Sequence, residues 1–140
     1  MADLFANLVF QKEDIIFFNN GIPGFDNYKR YVLASVEEQK PFEWLICVDN
    51  KDIRFVVINP LLFKSDYDPK IDKSQIEDLE IKGKDDLLIF VIVTLAKKIL
   101  ESTANLMGPL FINVKKKVGK QIIVDDERYC TRERIIKDEE

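Results

Sequence analysis

The sequence contains no histidine among its 140 residues, and it contains only two cysteines. Histidine is the commonest general base and a frequent metal ligand, so its absence removes the usual serine triad and most zinc or iron sites. Cys47 and Cys130 lie far apart and match no metal-binding or redox spacing. Cys47 also has no histidine to activate it as a nucleophile. The composition therefore predicts a non-enzymatic binding protein that needs no metal or cofactor.

The sequence also has no long apolar run and no excess of basic residues. A membrane-spanning helix needs ~20 apolar residues, and the N-terminal stretch MADLFANLVF lacks a basic region. The net charge of −4 argues against non-specific nucleic-acid binding, because phosphate contacts require clustered lysine and arginine. Two reduced thiols are typical of a reducing compartment. We therefore expect a cytoplasmic protein without membrane association or direct nucleic-acid binding.

The length and composition predict one globular domain. The hydrophobic fraction of 46% and the charged fraction of 33% are those of a folded protein, and 140 residues suit a single core. The sequence has no internal repeat and no low-complexity linker. The domain is predicted to span residues 1–132, and the charge-dense residues 133–140 are predicted to form a flexible tail.

Short β-branched and aromatic runs, separated by polar turns, predict a mainly β protein. The run LLIFVIVTL at residues 87–95 is apolar on both faces, so it is predicted to be the most buried strand. Trp44 is predicted to anchor the core. Seven to nine short strands and one short helix predict a small single-domain antiparallel β-barrel-like fold. The predicted strands cover residues 4–10, 15–18, 31–36, 42–48, 53–58, 87–95, 110–114 and 120–124.

The stretch at residues 103–124 contains one corner and one predicted hairpin. Proline has no N–H and a fixed φ, so Gly108-Pro109 ends whatever element precedes it. The lysine turn at residues 115–117, with Gly119, then joins two strand-like runs. The sequence thus predicts a sharp corner followed directly by a β-hairpin.

The connection before residue 87 is the most acidic part of the chain. Asp72 predicts the start of a short helix, and Gly83 predicts its end. Two interpretations of the acidic residues stay open: a solvated face, or an electrostatic surface that attracts a basic protein partner or repels RNA. The acidic residues are Asp66, Asp68, Asp72, Glu77, Asp78 and Glu80.

Four short motifs occur in an order that identifies a family. They are GIPGF at residues 21–25, FVVINP at 55–60, TANL at 103–106 and GKQ at 119–121. Tyr129 and Arg132 add a Tyr-x-x-Arg pattern. With these motifs the sequence resembles the FliW family of flagellar assembly factors from about residue 10 to about residue 132. It departs from the family pattern in detail, for example in having Met107-Gly108-Pro109 where Leu-Ala-Pro is frequent.

The resemblance implies a small β-barrel-like regulator with two protein partners. One is the carbon storage regulator CsrA, an RNA-binding dimer that represses translation of target mRNAs, including the flagellin message. The family binds CsrA away from its RNA surface and lowers its affinity for RNA. The other partner is flagellin, which occupies FliW when it accumulates and so frees CsrA to repress. We expect the free protein to be a monomer.

Two surfaces are hypothesised for these partners. CsrA is predicted to face Asp66, Asp68, Glu77 and Asp78, with an apolar contact from Phe63 or Tyr67. Flagellin is predicted to bind an exposed apolar strip at Leu106, Met107 and Pro109. For that strip the alternative is a buried corner that only shapes the barrel.

Two other classes of function stay open. A barrel that carries an apolar small molecule would need an interior cavity with convergent polar groups. An oligonucleotide-binding barrel would need exposed aromatic residues among basic ones, and the lysines at residues 115–120 have no aromatic neighbours.

Overall fold

The chain forms a β-barrel in a computed structural model that describes residues 8–136. The helix α1 (Lys73–Ile76) is a single turn, continued by a 3-10 turn at Glu77–Leu79. The strands within the described range are β1 (Ile16–Phe17), β2 (Arg30–Ser35), β3 (Glu43–Cys47), β4 (Arg54–Ile58), β5 (Leu87–Thr94), β6 (Thr103–Ala104), β7 (Leu110–Asn113), β8 (Val118–Gln121) and β9 (Glu133–Arg134).

Seven of the strands close into a ring. Their order is β4-β3-β2-β1-β8-β7-β5, and β5 pairs back with β4. Neighbouring strands are antiparallel except β1 and β8, which pair in parallel through Phe17 and Val118. A ring with an odd number of strands cannot alternate direction all the way round, so one parallel pair is required. The predicted antiparallel β-barrel-like fold with one short helix is confirmed, and its ring is antiparallel at every pair but this one.

Alternate side chains of the ring strands fill the barrel. Side chains along a strand point to opposite faces, so every second residue of β2, β3, β4, β5 and β7 points inward. The buried interior residues are Ile16, Phe18, Ile22, Tyr31, Leu45, Cys47, Val57, Phe90, Leu110 and Ile112. The strand β8 contributes space instead of a side chain: a Cβ at Gly119 would lie 2.7 Å from Cζ of Phe18. Gly119 is therefore required by the packing of the interior.

Tyr31 lies in this interior with a hydroxyl that has no hydrogen-bond partner among the described residues. Its ring packs edge-on against Phe18, with 5.4 Å between the ring centroids. Burial raises the pKa of the Tyr31 hydroxyl to about 12, because the ionised form would lose its hydration. Tyr31 is thus held in the neutral form as part of an apolar core.

The outer face of the barrel is covered as well. Val56 and Ile58 of β4 and Val91 and Val93 of β5 point outward and are buried. This explains why residues 87–95 are apolar on both faces. The covering residues lie in three segments outside the seven ring strands and are Tyr67, Ala104, Leu106, Tyr129 and Ile135.

Several sequence predictions differ from the structure in their boundaries. Residues 8–10 form no strand, and the rest of the predicted strand 4–10 lies outside the described residues. The most buried strand is β7, in which all four residues are buried, whereas the end of β5 is exposed at Thr94. The α1 region ends at Glu80, which adopts φ +53°, and not at Gly83.

Regular structure continues past residue 132, where the sequence predicts the end of the domain. Glu133 and Arg134 form β9, which pairs with β6. Ile135 is buried in the outer cluster, so its apolar side chain holds this end of the chain against the barrel. The predicted flexibility at residues 137–140 concerns residues outside the described range.

Candidate protein-interaction surfaces

Two tyrosines fix the start of the acidic connection. The Tyr67 hydroxyl donates to the carbonyl oxygen of Leu106 at 2.7 Å, and Tyr129 accepts from the backbone N–H of Asp68 at 2.8 Å. The two rings meet edge to face with 4.7 Å between centroids. Burial raises the pKa of Tyr67 well above its ordinary value, so it remains a neutral donor. Tyr67 is therefore a buried anchor, and the predicted apolar contact with CsrA, from Phe63 or Tyr67, is left to Phe63 as a prediction.

A carboxylate and an arginine hold the next residues. Asp126 is buried, and it accepts from the backbone N–H of Lys70 at 3.2 Å. Arg128 donates to Asp126 at 2.7 and 3.0 Å, and Nη2 of Arg128 also reaches the carbonyl oxygen of Asp68 at 2.8 Å. The pair therefore ties the acidic connection to the segment that follows β8.

The ion pair of Asp126 and Arg128 predicts that the folded protein loses stability at low pH. Hydrogen bonds from Arg128 hold the pKa of Asp126 well below its ordinary value. A lowered folded-state pKa means that the unfolded chain binds the proton first as the pH falls. The contribution of Asp126 is thus complete above about pH 4, the unfolded carboxyl value, and declines below it. Thermal melts from pH 7 to pH 3 test this. The melting temperature of Asp126→Asn should fall less than that of the wild type between pH 7 and pH 3. Equal falls in melting temperature would contradict this role of Asp126.

The helix α1 is fastened to the hairpin of β7 and β8. Nζ of Lys120 donates to the carbonyl oxygen of Gln75 at 2.6 Å and lies 3.4 Å from Oδ1 of Asp78. Nδ2 of Asn113 donates to the carbonyl oxygen of Leu79 at 2.8 Å. Asp68 contacts Tyr129, whereas Gln75, which comes later in the connection, contacts the earlier residue Lys120. The acidic connection therefore lies antiparallel along residues 120–129, on one side of the barrel.

This connection concentrates the negative charge of the chain. Residues 66–80 contain six acidic and two basic side chains, a net charge of −4, which equals that of the whole chain. The four acidic residues predicted to face CsrA are all exposed, and we call them the acidic face: Asp66, Asp68, Glu77 and Asp78. Phe63 is half-buried and packs on the outer cluster. The structure thus brings the predicted acidic residues onto one ordered segment.

The predicted apolar strip at residues 106–109 is not exposed. Leu106 is 0% exposed, and Pro109 is also buried. Met107 is half-buried between the outer cluster and the cluster beneath α1. The Leu106 N–H donates to the carbonyl oxygen of Cys130 at 3.0 Å, so the C-terminal segment covers this corner. The exposure that this flagellin site requires is therefore absent, and the alternative of a buried corner describes these residues.

The GKQ motif at residues 119–121 packs closely against the corner at residues 105–109. Nε2 of Gln121 donates to the carbonyl oxygen of Gly108 at 2.9 Å. A Cβ at Gly108 would lie 2.7 Å from that nitrogen and 3.0 Å from Nδ2 of Asn105. Asn105 in turn accepts from the backbone N–H of Met107 at 3.0 Å. These motif residues therefore build the barrel and do not form an exposed site.

Sequence reasoning missed an apolar groove on the outside of β3 and β4. Its volume is about 320 Å³, and it is open to solvent along one side. Trp44, predicted to anchor the core, is only half-buried and forms part of the groove, and its indole N–H donates to Oε1 of Gln39 at 2.7 Å. The pattern of Leu95 and Ile99 within a polar connection was the indication available in the sequence. The apolar residues that line the groove are Phe42, Trp44, Val56, Leu95 and Ile99.

The described part of the chain spans residues 8–136. In that range no group of three or more Cys, Asp or Glu side chains is placed to hold a metal ion. None of the described helices combines the length and apolar character that crossing a membrane demands.

Comparison with known proteins identifies the family. The family model described as FliW protein matches residues 2–135. The chain belongs to the FliW family. Flagellar assembly factor FliW of Alkaliphilus metalliredigens (strain QYMF) is 42% identical over 135 residues, which is 96% of this chain and 83% of that protein. Flagellar assembly factor FliW of Caldanaerobacter subterraneus subsp. tengcongensis is 42% identical over 135 residues, with 96% and 90% covered.

The FliW fold is also shared. The crystal structure of a flagellar assembly factor FliW superposes on this chain with a TM-score of 0.88 at 36% sequence identity. The superposed region covers 94% of this chain and 92% of the chain in that crystal structure. The FliW resemblance read from the motifs is therefore confirmed. In this member of the FliW family the TANL and GKQ motifs lie at a corner and at close contacts. The GIPGF motif forms a corner in which Gly21 and Ile22 are buried and residues 23–25 are exposed, and the acidic face and the apolar groove also lie on the surface.

Proposed function

We propose that this chain is a non-enzymatic flagellar assembly factor that acts in the cytoplasm by binding CsrA and flagellin. Its membership of the FliW family supports this, since relatives of the family are named flagellar assembly factors. The exposed acidic face supports CsrA as a partner, because a protein that binds RNA carries positive charge that an acidic surface attracts. Flagellin competes for the protein in this proposal and so returns CsrA to its mRNA.

The acidic face lowers RNA affinity through charge and through coupling. Negative charge placed near CsrA opposes the approach of phosphates. Antagonism from a separate surface also requires a coupling free energy, and ~1–3 kcal/mol corresponds to about 5–150-fold in affinity. A rigid acidic segment is suited to this role, because its charges stay fixed when CsrA binds. The anchors at Tyr67 and Asp126 supply that rigidity.

A carrier of an apolar small molecule is the alternative that the sequence left open. The barrel interior is filled by large side chains such as Phe18 and Tyr31, both 0% exposed. A bound ligand of ordinary size would need several of these side chains to move, and close-packed cores resist such movement. The packing therefore favours the protein-binding function.

Calorimetric titration of the purified chain tests this proposal. CsrA and flagellin are titrated separately at about 50 mM and at about 300 mM salt. Both should bind at low salt, and CsrA binding should weaken at high salt because exposed charges are screened. The absence of a CsrA complex at low salt would contradict the proposal for that partner. The absence of a flagellin complex would contradict it for the other.

A further inference from the structure

Residues 126–136, which we call the clasp, contact both the barrel and the acidic connection. On one side the clasp binds the acidic connection, because Tyr129 accepts from the N–H of Asp68 and Asp126 accepts from the N–H of Lys70. On the other side β9, near the end of the clasp, pairs with β6. The acidic connection is therefore held at this end by a segment that is itself attached to the barrel.

Leu106 joins the clasp and the acidic connection at one residue. Its carbonyl oxygen accepts from the Tyr67 hydroxyl at 2.7 Å, and its N–H donates to the carbonyl oxygen of Cys130 at 3.0 Å. The ring of Tyr129 packs edge to face against that of Tyr67, and both tyrosines belong to the outer cluster with Leu106. An opening of the clasp would therefore remove the ring that packs on Tyr67 as well as the hydroxyl that binds Asp68.

The clasp is attached to the barrel by few buried side chains. Between Tyr129 and Ile135 its residues are exposed or half-buried, and within the described part of the chain β9 has a neighbour on one side only. Ile135 is 8% exposed in the outer cluster, and its N–H donates to the carbonyl oxygen of Ser102 at 3.4 Å. Segments with few buried contacts open locally at a lower free energy than core strands. Ile135 is therefore the buried side chain that fastens the end of the clasp.

We propose that Ile135 is a positioning residue for the acidic face. By holding the clasp closed, it fixes the end of the acidic connection that carries Asp66 and Asp68. Glu77 and Asp78 lie at the other end, where the connection is fastened to the hairpin of β7 and β8 and does not depend on the clasp. This inference rests on the proposed function, in which the acidic face binds CsrA. It makes the clasp a two-state element, so a contact that opens the clasp would weaken the acidic face from a distance.

Amide hydrogen exchange of the free protein tests whether the clasp opens as a unit. Three N–H groups outside the clasp donate to it and should exchange through one shared opening. Ile135→Ala should raise all three exchange rates ~30-fold or more, because the loss of buried methyl groups destabilises the closed clasp. The N–H of Val114, which donates to the carbonyl oxygen of Asp86 at the far end of the connection, should keep its rate within about threefold. The three N–H groups are those of Asp68, Lys70 and Leu106.

Ile15→Ala is the matched control for a general loss of stability. Ile15 is 7% exposed and loses the same methyl groups, but it packs in a different cluster with Val32 and Ile46. This variant should leave the three exchange rates within about threefold of the wild type. Ile135→Val keeps most of the side chain and should raise them by less than about tenfold. Equal increases in Ile15→Ala and Ile135→Ala would overturn the positioning role.

A double-mutant cycle identifies the side chains through which Ile135 acts on CsrA. Inhibition is measured as the concentration of the chain that releases half of a labelled flagellin-leader RNA from CsrA. Ile135→Ala should raise this concentration several-fold, because Asp66 and Asp68 lose their fixed positions opposite the basic partner. In a background that already carries D66N and D68N, the same change should have less than about a twofold effect. Equal effects in both backgrounds would contradict the proposed route.

The exchange and inhibition measurements separate this inference from the proposed function. If the wild type inhibits CsrA and Ile135→Ala leaves the three exchange rates unchanged, the positioning role is wrong while the proposed function stands. If the wild type does not inhibit CsrA, the proposed function fails, and the positioning role fails with it.

Discussion

Neutralising the acidic face is expected to weaken the inhibition of CsrA by ~10-fold or more, because electrostatic steering by a charged surface changes association by that order. All four side chains are exposed, so the neutral amides should leave the fold intact. The salt dependence of inhibition should fall at the same time, since fewer charges remain to be screened. The variant carries D66N, D68N, E77Q and D78N. Its effect is measured as the concentration that releases half of a labelled flagellin-leader RNA from CsrA.

The matched control changes the net charge equally but elsewhere. It raises the net charge from −4 to 0, as the acidic-face variant does. All four of its positions are exposed and lie outside residues 66–80. If the position of the charge matters, this control should inhibit nearly as well as the wild type. Full inhibition by the acidic-face variant would contradict the assignment, as would equal losses in both. The control carries E13Q, D26N, D52N and E127Q.

Of the two glycines in the GIPGF corner, Gly21 is expected to lower the stability of the protein more when it is replaced by alanine. Gly21 adopts φ +67°, in the left-handed region that costs an alanine about 1–2 kcal/mol. A Cβ there would also lie 2.6 Å from Cα of Asp26, and a backbone atom cannot rotate away. Overpacking of this kind adds about 1–3 kcal/mol. Together the two effects predict a loss of about 3 kcal/mol, or about 10 °C in the melting temperature.

Two other glycines separate these causes. Gly24 has φ +89° but no atom within 4 Å of an added Cβ, so Gly24→Ala should show the backbone cost of about 1–2 kcal/mol alone. Gly83 has extended backbone and open space around it, so Gly83→Ala should lie within about 0.5 kcal/mol of the wild type. Urea unfolding of the three variants gives the order. Equal losses at Gly21 and Gly24 would show that the close approach to Asp26 has no effect.

The strands β2 to β5 and β7 could be predicted from the sequence, because local alternation and turn residues determine them. The return strand of the hairpin, predicted at residues 120–124, lies instead at Val118–Gln121. The predicted strand 31–36 differs from β2 by one residue at each end. The closure of the ring could not be predicted this way. It depends on the pairing of β1 with β8, two short strands about 100 residues apart that share one parallel contact. No local pattern reports a contact between such distant segments.

The acidic face could be predicted and the apolar surface could not, for a physical reason. Acidic side chains are mostly exposed whatever the fold, so the exposure of an acidic run follows from its composition. The exposure of an apolar residue depends on what covers it. Leu106 and Leu95 look alike in sequence, yet Leu106 is covered by the segment around Cys130, while Leu95 remains on the lip of the groove. The burial of Tyr67 could not be predicted for the same reason, since its hydrogen-bond partner, the carbonyl oxygen of Leu106, lies 39 residues away.

The central claim is that this FliW family member regulates CsrA and is itself regulated by flagellin. A gel shift tests it most directly, with labelled flagellin-leader RNA, CsrA and the purified chain. We predict that the chain releases the RNA from CsrA and that added flagellin restores the RNA–CsrA complex. RNA binding that is unchanged by an excess of the chain would contradict the account, and so would a release of RNA that flagellin does not reverse.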